Sequence, residues 1–245
     1  MFDHLSISAL TDLSGLFAKI SEQVFEQFGT LKDELIFYEV SIKYINALSE
    51  KKAPICYPVI TSEQSIQFKN LYDLYLLMSN PNPNDVVPND FTFGPENVGL
   101  LVFGDNGSGK TVYLRSVATA QILAQAGLPI PCENAKIMLF TQISTQFSEA
   151  EKEFCECNDA GRFEQEVCEL ASMVDTLKEG ALVFLNETFQ STAYIEGAEG
   201  LYHLLEHFSV LGIRWILVTH LQQIRGMFAG KKVNTIDTHE GYKIQ

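Results

Sequence analysis

One stretch constrains this chain of 245 residues more than any other: residues 104–111, which read Gly104-Asp105-Asn106-Gly107-Ser108-Gly109-Lys110-Thr111. They satisfy every fixed position of the phosphate-binding pattern G-x-x-x-x-G-K-[ST]. The apolar residues 100–103 precede them, as expected of a buried parallel strand. Apolar residues then recur near helical spacing over residues 112–123, and Gly127 with Pro129 ends that pattern. The motif therefore lies between a strand and a helix, where it can surround the phosphates of a nucleotide.

The residue types in this loop fit that chemistry. Gly104, Gly107 and Gly109 permit positive φ angles, which turn backbone N–H groups toward phosphate oxygens. The N-terminal end of the following helix attracts the same anion. Lys110 is predicted to reach the β- and γ-phosphates, and the Thr111 hydroxyl is predicted to bind Mg²⁺. The sequence therefore predicts a site for a nucleoside triphosphate and Mg²⁺.

Composition is that of a globular chain, with 46% hydrophobic and 20% charged residues. No apolar run reaches membrane-spanning length, and the first residues lack the pattern of a signal peptide. An odd number of cysteines, five, favours reduced thiols, so we expect a cytoplasmic protein without a membrane partner. The net charge of −14 opposes DNA binding by the chain alone, because such binding needs clustered Lys and Arg. We expect DNA contact only with additional domains or chains.

The segment before the loop is helical in pattern. Apolar residues follow helical spacing from Thr11 to about Ser49, and Gly29-Thr30 favours a bend or a break. Two interpretations remain: a coiled-coil lever, or a helical cap over the core, which the lack of a long strict heptad favours. Gly94 to Asn97 is predicted to form a turn between two strands.

After the loop helix, short apolar runs alternate with helical patterns. The predicted strands are residues 136–141, 181–185 and 214–219, and the predicted helices are residues 163–177 and 195–211. Residues 144–159 are predicted to be a mobile loop, and residues 232–244 a hairpin turning at Glu240-Gly241. This alternation predicts an α/β fold with a mostly parallel sheet flanked by helices, which binds ligands at the carboxyl edge of the sheet.

Two further polar segments follow predicted strands: Asn186-Glu187 and His220. In a phosphate-loop ATPase an aspartate at the first position holds Mg²⁺, and a following glutamate can act as general base. The Asn186 amide can still accept a hydrogen bond from metal-bound water, but it brings no charge. The predicted catalytic residues are Glu187, His220 and Lys110, and the predicted metal site is Thr111, Asn186 through water, and Glu187. A single histidine at the end of a strand, such as His220, more often only makes local hydrogen bonds. The spacing of His220 from the other segments nevertheless favours a role as γ-phosphate sensor.

Taken jointly, the motifs resemble the C-terminal ATPase domain of the MutS family of DNA mismatch-repair proteins, a branch of the ABC-type ATPases. The resemblance rests on residues 87–90, 107–115, 127–131, 163–166, 185–187, 191–192 and 218–220. It covers roughly residues 55–245 and implies a P-loop NTPase fold of ABC/MutS type. The implied domains are residues 1–52, similar to the end of the MutS lever domain, and residues 53–245, the ATPase domain.

The resemblance also implies an assembly and a nucleotide site. MutS-type domains form a homodimer through the ATPase face, where each nucleotide is completed by the partner's signature segment, here Gly161, Arg162, Phe163 and Glu166. Val86-Val87 and Asn89 would lie near the adenine, and Gln142 falls in the region of the family's connecting loop. The nucleotide-binding residues implied in this way are Gly104, Asp105, Asn106, Gly107, Ser108, Gly109, Lys110, Thr111, Val112, Val87 and Asn89.

The chain departs from the family pattern at three places. Gly161-Arg162 stands where the signature has Ser-Thr, so a γ-phosphate contact is missing, and Arg162 is hypothesised to replace it as a cationic finger. Asn186 replaces the usual aspartate, and Phe189-Gln190 replaces Gly-Arg. These losses predict ATP binding with slow hydrolysis.

Three functions remain in view. The first is the nucleotide switch of a DNA mismatch-repair or DNA-processing clamp. The second is a nucleotide-dependent dimerisation module with little or no ATPase activity and no direct DNA binding. A phosphotransferase is less favoured, because no arginine-rich lid follows the nucleotide motif.

Overall fold

The computed structural model describes residues 2–147, 159–189 and 194–238 of the chain. The chain divides into two compact units, Met1–Glu50 and Lys51–Gln245. The first unit is a single helix, α1 (Phe2–Glu50), which continues through Gly29-Thr30 without the predicted bend or break. One glycine costs a helix only about 1 kcal/mol, and the Thr30 hydroxyl donates to the Glu26 carbonyl, 3.2 Å away, inside the helix. The side chains of residues 13–40 are exposed.

The second unit combines strands and helices along the chain, as expected of an α/β fold. Its described strands are β1 (Val59–Ile60), β2 (Ile66–Leu71), β3 (Asn89–Phe93), β4 (Gly99–Phe103), β5 (Asn134–Ile137), β6 (Gln142–Phe147), β7 (Ala181–Asn186), β8 (Arg214–Val218) and β9 (Val233–Asp237). Its described helices are α2 (Leu74–Ser79), α3 (Lys110–Gln125), α4 (Asp159–Thr176), α5 (Tyr194–Val210) and α6 (Gln222–Met227), with a 3-10 turn at Pro83–Asp85. Within the described ranges, no helix is both long enough and apolar enough to cross a bilayer.

The strands form two sheets. The larger sheet has five strands in the order β6-β7-β8-β4-β9, and all four neighbouring pairs are parallel. The smaller has four strands in the order β1-β5-β2-β3 and is mixed, because β1 pairs with β5 in parallel whereas β2 runs antiparallel to both β3 and β5. The prediction of a mostly parallel sheet therefore holds for the larger sheet, and the smaller sheet was not predicted.

Two boundaries on the path between the sheets differ from the sequence-based expectation. The predicted strand at residues 136–141 ends at Ile137, in β5 of the smaller sheet. The predicted loop at residues 144–159 is wrong for residues 144–147, which belong to β6. This strand lies at the edge of the parallel sheet and is only half-buried, so its sequence lacks the continuous apolar run that marks the central strands. The rest of the predicted loop, residues 148–158, lies outside the described residues.

The first arm of the predicted C-terminal hairpin is a strand. Residues 233–237 form β9, which pairs in parallel with β4 along its full length, from Gly99 opposite Val233 to Phe103 opposite Asp237. The segment therefore extends the parallel sheet at its edge. The expected turn at Glu240-Gly241 lies outside the described residues.

The parallel sheet is covered on both faces. Successive side chains of β4 point to opposite sides: Leu100 and Val102 enter one buried cluster with residues of α3, while Leu101 and Phe103 enter another with residues of α5 and α6. All five residues of β4 are buried, which is why the strand reads as an uninterrupted apolar run. Both layers fix the carboxyl end of β4, from which the glycine-rich loop leads into α3.

Gly99 at the start of β4 is expected to tolerate no side chain. A Cβ atom built there would lie 2.1 Å from the indole of Trp215, its neighbour on β8, which is fully buried. Gly99→Ala should therefore lower the free energy of unfolding by about 2–3 kcal/mol through overpacking, as measured by urea denaturation. Gly226→Ala is the matched control, because nothing lies within 4 Å of a Cβ at that position. Equal stability of the two variants would contradict the expected clash.

Candidate functional site

The candidate site forms where three neighbouring strands of the parallel sheet end. β8 lies between β7 and β4, and the register sets Val218 opposite both Asn186 and Val102. The segments after these strands therefore leave the sheet side by side. The segment after β8 carries His220, the segment after β7 carries Glu187, and the segment after β4 is the glycine-rich loop. All three lie at the carboxyl edge, where such sheets bind ligands.

The glycine-rich loop has the backbone geometry that its glycines were predicted to allow. Gly104, Gly107 and Gly109 have φ angles of +149°, +80° and +91°. Gly109 immediately precedes the first residue of α3 and adopts the left-handed conformation. The N–H groups of the first turn of a helix such as α3 have no partner within the helix, and this end of a helix suits an anion.

Lys110 lies inside the loop. Its side chain is buried, and Nζ donates to the carbonyl oxygens of Gly104 at 2.9 Å and Asp105 at 2.8 Å. Burial lowers the pKa of Lys110 from its ordinary value, and the carboxylates of Glu187 and Asp105 oppose that shift. The ammonium group therefore lies at the centre of the loop with two backbone partners already in place.

Thr111 and Asn186 meet across the sheet edge. The Thr111 hydroxyl donates to the Asn186 amide oxygen at 3.1 Å, and Asn186 is buried at the end of β7. The two residues predicted for the metal site are thus neighbours, although 75 positions separate them in sequence. Their oxygen atoms are the hard donors that Mg²⁺ prefers.

Glu187 and His220 form a pair. Oε1 of Glu187 lies 2.8 Å from Nε2 of His220, and both side chains are partly exposed. The backbone of Glu187 has φ +56°, an unusual value for a residue other than glycine, and its N–H donates to the Val218 carbonyl at 2.9 Å. Such strain is found at functional sites, and here it turns the carboxylate toward His220.

Thr188 fixes the segment that carries Glu187. Its buried hydroxyl donates to Oε1 of Gln146 on β6 at 2.6 Å. Gln142, the residue that the family resemblance associated with the connecting loop, lies at the opposite end of β6, opposite Ala181. That places it about five strand residues, or about 17 Å, from the carboxyl edge. Gln146 lies near the carboxyl end of β6 and accepts the Thr188 hydrogen bond, a contact for which sequence patterns gave no signal.

Thr238, just after β9, braces the loop from the other side. Its N–H and hydroxyl donate to the Phe103 carbonyl at 2.9 and 3.0 Å, and its hydroxyl also contacts the Ser108 hydroxyl. A Cβ on Gly104 would lie 1.8 Å from the Thr238 hydroxyl. Gly104 is therefore required both for its φ angle and for this close approach.

A cleft of about 520 Å³ extends from the loop toward the smaller sheet. Of the predicted residues, its lining includes Asn106, Gly107, Gly109, Lys110, Thr111, Val112, Val87, Asn89 and Glu187. The far end adds Leu71, Asp73 and Leu76, which sequence reasoning missed. The start of α2 after Asp73 carried a signal, because aspartate is a common N-cap. Tyr113 joins the two ends, since its hydroxyl donates to the Asp90 carbonyl at 3.0 Å beside Asn89.

The predicted signature segment lies in a single helix. Gly161, Arg162, Phe163 and Glu166 belong to the first turns of α4. None of the described residues lining the cleft comes from this helix. The side chain of Glu166 is half-buried, whereas those of Arg162 and Phe163 fall outside the described part.

Comparison with known proteins gives one family match. Residues 100–240, more than half of the chain, match the family model described as MutS domain V. This range contains the loop, Asn186, Glu187 and His220.

Among the similar curated proteins are several named endonuclease MutS2. That of Streptococcus gordonii is 28% identical over 169 residues, which cover 69% of this chain and 20% of that protein. That of Streptococcus thermophilus is 28% identical over 179 residues, covering 73% and 21%. That of Streptococcus agalactiae is 27% identical over 187 residues, covering 76% and 22%. The chain thus spans about a fifth of the length of these relatives.

Proposed function

The chain belongs to the MutS family, and on that premise we propose that it binds MgATP in the cleft and hydrolyses it slowly, as a nucleotide switch. One observation carries the proposal. The glycine-rich loop, the Thr111–Asn186 pair and the Glu187–His220 pair, from three separate parts of the sequence, converge at one sheet edge. Phosphoryl transfer to water requires a phosphate-binding loop, a Mg²⁺ site and a general base beside them.

The loop suits the phosphates of ATP, and the size of the cleft suits the whole nucleotide. The positive φ angles of the loop glycines and the N-terminus of α3 form an anion cradle. Lys110 supplies a buried positive charge in it. The volume of the cleft, about 520 Å³, falls within the range of small-molecule sites, with Val87 and Asn89 at the end away from the loop.

In the proposed reaction Glu187 accepts a proton from the attacking water. His220 would donate its Nε2–H to Oε1 of Glu187, which holds the carboxylate in one orientation and leaves Oε2 for the water. Lys110 stabilises negative charge on the transferring phosphate. Thr111, Asn186 through water, and Glu187 would hold Mg²⁺, which neutralises phosphate charge when bound.

Asn186 is the proposed reason for slow turnover. A neutral amide at this position leaves the Mg²⁺ site one negative charge short of the aspartate arrangement. Asn186→Asp is expected to raise turnover about tenfold and to lower the Mg²⁺ concentration needed for half-maximal activity, as measured by a Mg²⁺ titration of ATP hydrolysis. Asn134→Asp, on an exposed position of β5, is the matched control. Unchanged Mg²⁺ dependence in Asn186→Asp would show that this residue lies outside the metal site.

The proposed assembly is a homodimer through the ATPase face. In MutS-type domains the signature segment completes the nucleotide site of a second copy, and we propose the same for this segment on α4. Arg162 would then approach the γ-phosphate of the partner's nucleotide. The acidic chain, with net charge −14, would reach DNA only through additional domains or chains, in a DNA repair or DNA-processing assembly.

The experiment that tests this function measures MgATP binding, steady-state hydrolysis and mass by light scattering on the same samples. The expected result is saturable binding, an ATP-dependent dimer, and turnover well below the enzyme median of about 10 per second. Absence of nucleotide binding would overturn the proposal. Turnover at the median or above would contradict the role assigned to Asn186.

Asn186 also favours a second candidate function, a nucleotide-dependent dimerisation module that recruits proteins without hydrolysing ATP. The same samples separate the two. ATP-dependent dimerisation with no turnover in the wild type or in Asn186→Asp would favour the module over the ATPase.

A further inference from the structure

The far end of the cleft is bounded by α2, a helix of only six residues. A helix this short has no stability of its own in water, so tertiary contacts must fix its position. Leu77 provides one, since it is fully buried. Leu76, in the same turn, lines the cleft, so any shift of α2 changes the shape of this end.

Asp73 provides the second contact, because its carboxylate both caps α2 and pairs with Arg115. Its Oδ1 accepts the N–H of Leu76 at 2.8 Å, which caps the start of α2. The same carboxylate receives two hydrogen bonds from Arg115, at 2.9 Å from Nε and 2.8 Å from Nη2. The side chain of Asp73 is only 4% exposed, whereas that of Arg115 is 37% exposed. A pair with two parallel hydrogen bonds fixes geometry as well as charge.

Arg115 belongs to the helix that begins at the phosphate-binding loop. It lies four residues after Thr111 in α3, and its guanidinium group also lies over the ring of Tyr75 in α2, 5.1 Å from the centroid. The Asp73–Arg115 pair therefore joins the wall at the far end of the cleft to the helix that starts at the loop. Asp73 itself lines the cleft.

We propose that Asp73 and Arg115 are positioning residues for the nucleoside half of the ligand and have no part in binding its phosphates. The inference rests on the proposed function. The pair holds α2 at a fixed distance from α3, which sets the width of the space between Leu76 and the segment at Val87. The phosphate end keeps its own supports, Lys110 with its backbone partners and the Thr238 brace.

The test compares two ligands that share the phosphates and differ in the nucleoside: MgATP and magnesium tripolyphosphate. Both are titrated by calorimetry into the full chain as wild type and as Arg115→Ala, Arg115→Lys and Asp73→Asn. Asn still caps a helix but lacks the charge, and Lys keeps the charge but lacks the fork. Lys231→Ala is the control, because it breaks an exposed ion pair with Glu206 outside the cleft.

We expect Arg115→Ala to weaken MgATP binding about tenfold, and the two conservative variants about threefold to tenfold, because a charged hydrogen-bonded pair is lost or weakened. Tripolyphosphate affinity should stay within about twofold of wild type, which also demonstrates that each variant is folded. MgATP affinity that is unchanged, or an equal loss for both ligands, would overturn this inference alone. A wild-type chain that binds neither ligand would overturn the proposed function and this inference with it.

Discussion

Replacing Lys110 with alanine is expected to lower the affinity for MgATP by at least about 100-fold. Hydrogen bonds to charged groups each contribute about 1.5–3 kcal/mol, and Lys110 is proposed to meet two phosphates from a buried position. The substitution also removes the two hydrogen bonds from Nζ to the Gly104 and Asp105 carbonyls, so the loop loses its central contact. Calorimetric titration of MgATP into the purified variant measures the effect.

Lys178→Ala is the matched control for this experiment, since Lys178 is an exposed lysine just beyond α4. Far-ultraviolet circular dichroism of both variants separates loss of binding from loss of folding. If a folded Lys110→Ala protein binds MgATP with wild-type affinity, the phosphate-binding role proposed for the loop is wrong.

Replacing Glu187 with glutamine is expected to reduce ATP turnover by about 100-fold to 1,000-fold, in the range that general-base catalysis contributes. Glutamine has nearly the same shape as glutamate, and its amide oxygen can still accept a hydrogen bond from His220. It cannot accept the proton from the attacking water. Affinity for MgATP should fall much less than turnover, by about threefold to tenfold, because glutamine also removes one negative charge from the proposed Mg²⁺ site. Steady-state hydrolysis and a binding titration, made on the same preparation, separate the two effects.

Glu199→Gln, on an exposed position of α5, controls for the loss of one negative charge. If Glu187→Gln loses affinity and turnover in equal measure, the residue acts in binding and the general-base assignment fails. If the wild type has no turnover to lose, the dimerisation module takes the place of the ATPase.

The sequence predicted the central strands and the helices of the parallel-sheet region better than it predicted the edge strand β6. The strands around residues 181–185 and 214–219, and the helices around 163–177 and 195–211, are confirmed to within a few residues. Each is either a continuous apolar run or a helical repeat, so the signal lies within one segment. β6 was missed because an edge strand is covered on fewer sides and does not need such a run.

The sequence alone determined the glycine-rich loop between strand and helix, and the positions of Asn186-Glu187 and His220 just after strands. Those features depend on short-range patterns: glycine placement, apolar runs and helical spacing. The tertiary structure decided which of them meet. Strand order inserts β8 between β7 and β4, and this brings His220 to Glu187. The partners that support the site, such as Gln146 with Thr188 and Arg115 with Asp73, are each 42 positions apart. Contacts at that separation follow from how the elements pack, which no local pattern specifies.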